Sequence, residues 1–112
     1  KIADKIKNGS PSTLVFIQTI LPINNQHYMN IKDVNYNFLL PDYSPSVNMQ
    51  IKKVNSILVK SKKHNLIDLH PLFLNSNGSL NYKFTIDGVH LNQKGYQIWS
   101  NKIYSIIESL NN

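Results

Sequence analysis

Cysteine is absent from these 112 residues, so disulfides, thiolate metal sites and a cysteine nucleophile are excluded. Arginine is absent as well: all twelve basic residues are lysines, and the net charge is +6. Nucleic-acid binders draw on arginine for bidentate phosphate and guanine contacts. Here the lysines are dispersed, with one cluster in "VKSKKHN", residues 59–65. Charge without a reading motif gives no ground to expect nucleic acid as a partner. Long apolar runs are also missing. None approaches the roughly 20 residues that cross a bilayer, so no membrane span is expected. The opening "KIADKIKNGSP" has no apolar signal-peptide core and no initiator methionine, which leaves export and compartment open.

What remains is enough for one small domain. Hydrophobic residues make up 41%, with six tyrosines, four phenylalanines and one tryptophan available for a core.

Residues 2–8 read as the last turns of a helix, with Ile2 and Ile6 on one face and Gly9 as a stop. "TLVFIQTIL", residues 13–21, is nearly unbroken and β-branched, which predicts a strand covered on both faces as in a parallel sheet. Residues 22–43 are Asn-rich and aperiodic, a connection long enough to belong to a functional site. A helix follows, with Ser44 as N-cap, Pro45 at its first position and a buried stripe of Val47, Ile51, Val54 and Leu58. "LIDL", residues 66–69, is a second short buried strand, and a long loop runs from His70 to Leu91. The last helix spans residues 93–110 after an Asn92 cap. Its apolar face holds Tyr96, Trp99, Ile103, Ile106, Ile107 and Leu110.

The order is a βαβ unit with a trailing helix, hence an α/β fold with a parallel sheet. Two strands leave sheet edges open, and finished sheets usually have about five strands. Either a partner supplies the remaining strands or, the expectation favoured here, residues 1–112 are the C-terminal part of a single larger domain lacking its N-terminal portion.

Ligands of open α/β sheets bind beyond the carboxyl ends of the strands, and both long loops leave from those ends. Asp87 and His90 lie in the second loop, three apart around Gly88. A general-base histidine needs one ring nitrogen facing the nucleophile and the other held by an acceptor. A carboxylate three residues earlier in a tight turn can supply that acceptor. A bare Asp-x-x-His also arises in ordinary surface turns, so the pair alone does not decide.

Other candidates have plainer readings. His64 ends a helix and suits its dipole. His27 and Asn24 sit in or beside the first long loop and are candidate substrate-binding residues. Asp68 and His70 provide two ligands where zinc needs three or four, so no metal is expected. Asp68 instead is expected to accept hydrogen bonds from nearby backbone. Tyr96 and Trp99, at helical spacing, read as core rather than a sugar-stacking platform.

The longer string "TIDGVHLNQKGYQIW" resembles the last sequence block of the SGNH (GDSL-type) hydrolases, esterases and lipases with a Ser-His-Asp triad. Asp87, Gly88, Val89, His90, Leu91, Gly95 and Tyr96 match that block. "VFIQTILPIN" looks like the family's penultimate core strand, and "VNSILVKSKKHNLIDLHPLF" like its crossover helix, last strand and exit loop. The resemblance implies a flavodoxin-like three-layer α/β/α sandwich and ester hydrolysis through an acyl-enzyme. His90 would be the general base and Asp87 its orienting acid. It implies small acyl ester substrates, acetylated carbohydrate among them, and no cofactor.

The family's Gly-Asp-Ser nucleophile and Gly-x-Asn-Asp oxyanion motifs do not occur here, and "NGSPS" and "NGSL" have the wrong context. Each missing oxyanion donor would forfeit roughly 3–4 kcal/mol. The expectation is half of a catalytic site, inactive alone and completed by the N-terminal segment of the same domain. The alternative is a non-catalytic flavodoxin-like binding or interaction module.

Overall fold

A computed structural model of the chain describes residues 1–28 and 44–110, with the side chains of His27 and Tyr28 left out. The elements run in the order α1 (Ile2–Gly9), β1 (Phe16–Gln18), α2 (Asn25–Tyr28), α3 (Val47–Ser61), β2 (Asn65–Ile67) and α4 (Gln93–Leu110). Short 3-10 turns at His70–Phe73 and Tyr82–Phe84 interrupt the last connection.

β1 and β2 are parallel, with Phe16 opposite Asn65, Ile17 opposite Leu66 and Gln18 opposite Ile67. The expected βαβ unit is thus present, with α3 in the crossover. Both strands are shorter than their apolar runs, because a strand extends only where a neighbour offers ladder bonds. Beyond Gln18 one more bond forms, from Thr19 N–H to Ile67 O at 3.0 Å. Most of the connection expected at residues 22–43 lies outside the described residues, and its first part contains α2.

The N-cap of α3 is Ser46 rather than Ser44. Ser46 has extended backbone and its hydroxyl accepts Met49 N–H at 3.2 Å, so Pro45 precedes the cap. The buried positions of α3 are Ile51 and Asn55, whereas Val54 is exposed. A polar residue on the inner face is invisible to an apolar periodicity, and it rotates the stripe away from Val54. The helix stops at Lys62, which takes the left-handed conformation at φ 50°.

α4 has the expected bounds, and Asn92 caps it by accepting Gly95 N–H on Oδ1 at 2.9 Å. Ile98, Trp99, Ile103 and Ile106 pack on the main core, built from Ile67, Leu69, Phe73, Leu80 and Leu91. Phe73, Leu69 and Leu80 are fully buried, each contributing about 1.5–3 kcal/mol by its removal from water. Tyr96, Ile107 and Leu110, expected on the same face, are exposed. The apolar arc of α4 is wider than two strands can cover. A smaller cluster of Ile23, Ile51 and Val47 lies under α3. The loop after β2 is therefore core-forming rather than loose: it supplies Phe73 and Leu80, with paired bridges Leu74–Leu80 and Thr85–Leu91 along it. Among the described residues no helix is long and apolar enough to cross a membrane.

Candidate active site

The segment from Thr85 to Leu91 folds back on itself. Thr85 and Leu91 form an antiparallel bridge, and Ile86 N–H donates to His90 O at 3.0 Å. Inside this bend the Thr85 hydroxyl accepts Gly88 N–H at 2.8 Å and donates to His90 O at 2.6 Å. Gly88 sits at φ +90°, a conformation that other residues enter at a cost. Asp87 then curls over the turn: its Oδ1 accepts the backbone N–H of Val89 at 2.9 Å and of His90 at 2.7 Å.

The other carboxylate oxygen, Oδ2, lies 2.6 Å from Nδ1 of His90. An ionised carboxylate only accepts, so Nδ1 carries the proton and Nε2 is the unprotonated nitrogen of the neutral ring. Nε2 has no hydrogen-bond partner among the described residues, and the His90 side chain is 73% exposed against 28% for Asp87. Partial burial pushes the Asp87 carboxyl pKa upward. The backbone N–H of His90, its ring and the N–H of Val89 more than offset this, and the net shift is downward. Asp87 is therefore a fixed anion with one oxygen aimed at an imidazole. Chemically, the arrangement can take a proton on Nε2 and stabilise the resulting imidazolium.

Of the residues singled out from sequence, Asp87 and His90 are brought together. Asn24 adjoins them through the backbone: it is buried, donates its N–H to Gly88 O at 2.8 Å and donates Nδ2 to Leu80 O at 2.8 Å. His27 falls in α2, and its side chain lies outside the described residues. Among the described residues Asp68 accepts from the Thr19 hydroxyl at 3.1 Å and not from backbone. The same hydroxyl accepts His70 N–H at 3.0 Å, which ties the ends of β1 and β2 together. The His70 ring donates from Nδ1 to Ile20 O at 2.9 Å. His64 pairs with Asp4 at 3.0 Å, a contact between distant segments rather than with its own helix end. Among the described residues no three His, Asp or Glu side chains gather as metal ligands. Trp99 packs on the core and donates Nε1 to Gln18 Oε1 at 3.2 Å, while Tyr96 meets it edge-on from an exposed position.

Thr85 is a residue that pattern reading passed over. Its signal is local: a Thr three residues before a Gly in a turn can bond that backbone with its hydroxyl.

The family model described as GDSL-like Lipase/Acylhydrolase matches residues 1–103. No curated protein matches the chain. Among solved structures, a Streptococcus pneumoniae protein provisionally named as a platelet activating factor is similar, with a TM-score of 0.72 and 22% identity over 94% of this chain and 46% of its own. A provisionally assigned acylhydrolase of Bacteroides fragilis gives 0.68 and 20%, covering 97% and 48%. A GDSL-like lipase of Bacteroides thetaiotaomicron gives 0.65 and 21%, covering 97% and 50%. The chain thus spans about half the length of each. These likenesses show a shared fold, the flavodoxin-like α/β sandwich of GDSL hydrolases, of which this chain matches one part.

Proposed function

This chain belongs to the GDSL-like lipase/acylhydrolase family, and from that premise we propose that it supplies the acid–base half of a serine ester hydrolase. The observation that carries this reading is the 2.6 Å contact between Asp87 Oδ2 and His90 Nδ1, with Nε2 left open. In the proposed reaction, Nε2 of His90 removes the proton of a serine hydroxyl as that oxygen attacks the ester carbonyl. It then protonates the departing alcohol. Asp87 holds the tautomer and stabilises the imidazolium between the two transfers. Water hydrolyses the acyl-enzyme by the same relay. Small acyl esters, sugar O-acetyl groups among them, are the substrates we favour.

The serine and the oxyanion donors come, in this reading, from a preceding segment of the same domain. Three features support it. The motifs for both are missing from the 112 residues, the match covers about half of each similar structure, and β1 bonds to β2 alone among the described strands. A strand preceding α1 would lie along the far side of β1 by the usual crossover rule. Ile2 and Ile6 of α1, beside Val15, Phe16 and Ile17, are exposed apolar residues that such a segment could cover. The isolated chain is accordingly inactive in this reading.

The test is p-nitrophenyl acetate hydrolysis by the 112 residues alone, by the complete domain and by its His90→Ala variant. We expect turnover only in the intact complete domain. Undiminished turnover in His90→Ala would refute the mechanism. A complete domain that binds acylated sugar without hydrolysing it would favour the non-catalytic module.

A further inference from the structure

Two asparagines on α3 make the hydrogen bonds that a neighbouring strand would make. β1 ends at Gln18, and among the described strands none pairs with residues 20–24. Ile23 and Asn24 are buried in this stretch while Ile20 is half-exposed, and backbone groups withdrawn from water still require partners. Asn55 meets this need at Ile20: its Oδ1 accepts Ile20 N–H and its Nδ2 donates to Ile20 O, both at 2.8 Å. Asn48 repeats the arrangement at Ile23, again with both bonds at 2.8 Å.

The spacing explains why both can dock together. Seven residues of helix advance about 10.5 Å. Three residues of extended chain cover about 9–10 Å. The two rows run in opposite directions, Asn48 to Ile23 and Asn55 to Ile20, as a strand and its following crossover helix must. A primary amide offers a donor and an acceptor side by side, as a peptide group does, which a carboxylate or hydroxyl of similar reach cannot reproduce.

The segment held in this way leads to Asp87 and His90. Asn24, next to Ile23, donates its N–H to Gly88 O at 2.8 Å. Gly88 N–H bonds to the Thr85 hydroxyl at 2.8 Å, and that hydroxyl bonds to His90 O at 2.6 Å. A second tie runs from Leu80 N–H to Ile23 O at 2.9 Å, with Asn24 Nδ2 on Leu80 O. We infer that Asn48 and Asn55 are positioning residues for the Asp87–His90 pair, acting through Asn24 and Gly88. The functional meaning of this rests on the proposed function, but the positioning does not.

The experiment reads the His90 Nδ1 proton by NMR in the full chain, its signal assigned by loss in His90→Gln. Asn48→Ala and Asn55→Ala, each removing two hydrogen bonds to the backbone, should each speed its exchange with water by about tenfold or more. Asn48→Asp should fail to restore it, since a carboxylate cannot donate to Ile23 O. Asn65→Ala, at the other end of β2, should leave it unchanged. Folded Asn48→Ala and Asn55→Ala variants with wild-type exchange would overturn the inference. If these variants do not fold, amide exchange in the unmodified chain decides. Ile20, Ile23 and Asn24 should open together as one unit. Independent opening of Asn24, on the order of a hundredfold faster than Ile20 and Ile23, would overturn it. Because no turnover is measured, an ester hydrolase active without His90 would remove the proposed function and leave the positioning standing.

Discussion

A Cβ on Gly95 would stand 2.5 Å from the carbonyl oxygen of Phe84 and 3.0 Å from a methyl carbon of Leu91. The first turn of α4 is thereby pressed onto the residues that lead into and out of the Asp87–His90 bend. Phe84 O is not free to swing aside, because it also accepts Asn92 N–H at 2.9 Å. Gly95→Ala should therefore destabilise the chain by about 1–3 kcal/mol through overpacking. A lower urea midpoint at unchanged slope is the expected result. An unchanged midpoint would mean the helix shifts without penalty.

Thr85 is buried, and its hydroxyl serves Gly88 N–H and His90 O at once. Thr85→Val keeps the shape but strands that N–H, at a cost of about 1–3 kcal/mol. Thr85→Ser keeps the hydroxyl and should lose less. Equal midpoints for Val and Ser would show that the hydroxyl contributes nothing.

Acid titration offers a third test. The Asp87 carboxyl is held below its ordinary pKa, so the unfolded chain takes up its proton more readily than the folded one. The resulting stability is fully present above the unfolded-state value, about 3.9, and is lost as pH falls through the lower folded value. Asp4 is shifted the same way, first by its bond with Lys63 and then by His64, and adds to the slope. Urea midpoints measured from pH 6 downward should drop less steeply in Asp87→Asn than in the wild type. Parallel curves would deny Asp87 this role.

In the complete domain, Asp87→Asn should lower kcat for p-nitrophenyl acetate by about 10⁴-fold, because an amide facing Nδ1 favours the wrong tautomer. A loss below about tenfold would show that the carboxylate does not set the ring's proton.

The bend at residues 85–91 could be read from sequence because its devices are local. Asp87, Gly88 and His90 lie within four residues, and both the turn and the carboxylate's reach follow from that spacing. The bounds and Asn92 cap of α4 were legible for the same reason, whereas Tyr96, Ile107 and Leu110 of its expected apolar face are exposed. The α3 stripe was legible at Val47 and Ile51 but not at Asn55, whose place on the inner face answers to Ile20, 35 residues earlier. Asp68 and Thr19 meet across 49 residues, and His64 meets Asp4 across 60, so neither contact has a local signature. Strand length depended on which neighbours were present to bond, a property of the assembly rather than of the run itself.

Among the described strands β1 is sealed along one side only. An unsealed ribbon offers its peptide groups to any extended chain, another copy of itself included. A net charge of +6 opposes such encounters, since like-charged molecules repel. At physiological salt that repulsion fades beyond about 8 Å. Added salt should therefore drive the chain toward self-association, and dilute, low-salt solution should keep it dispersed.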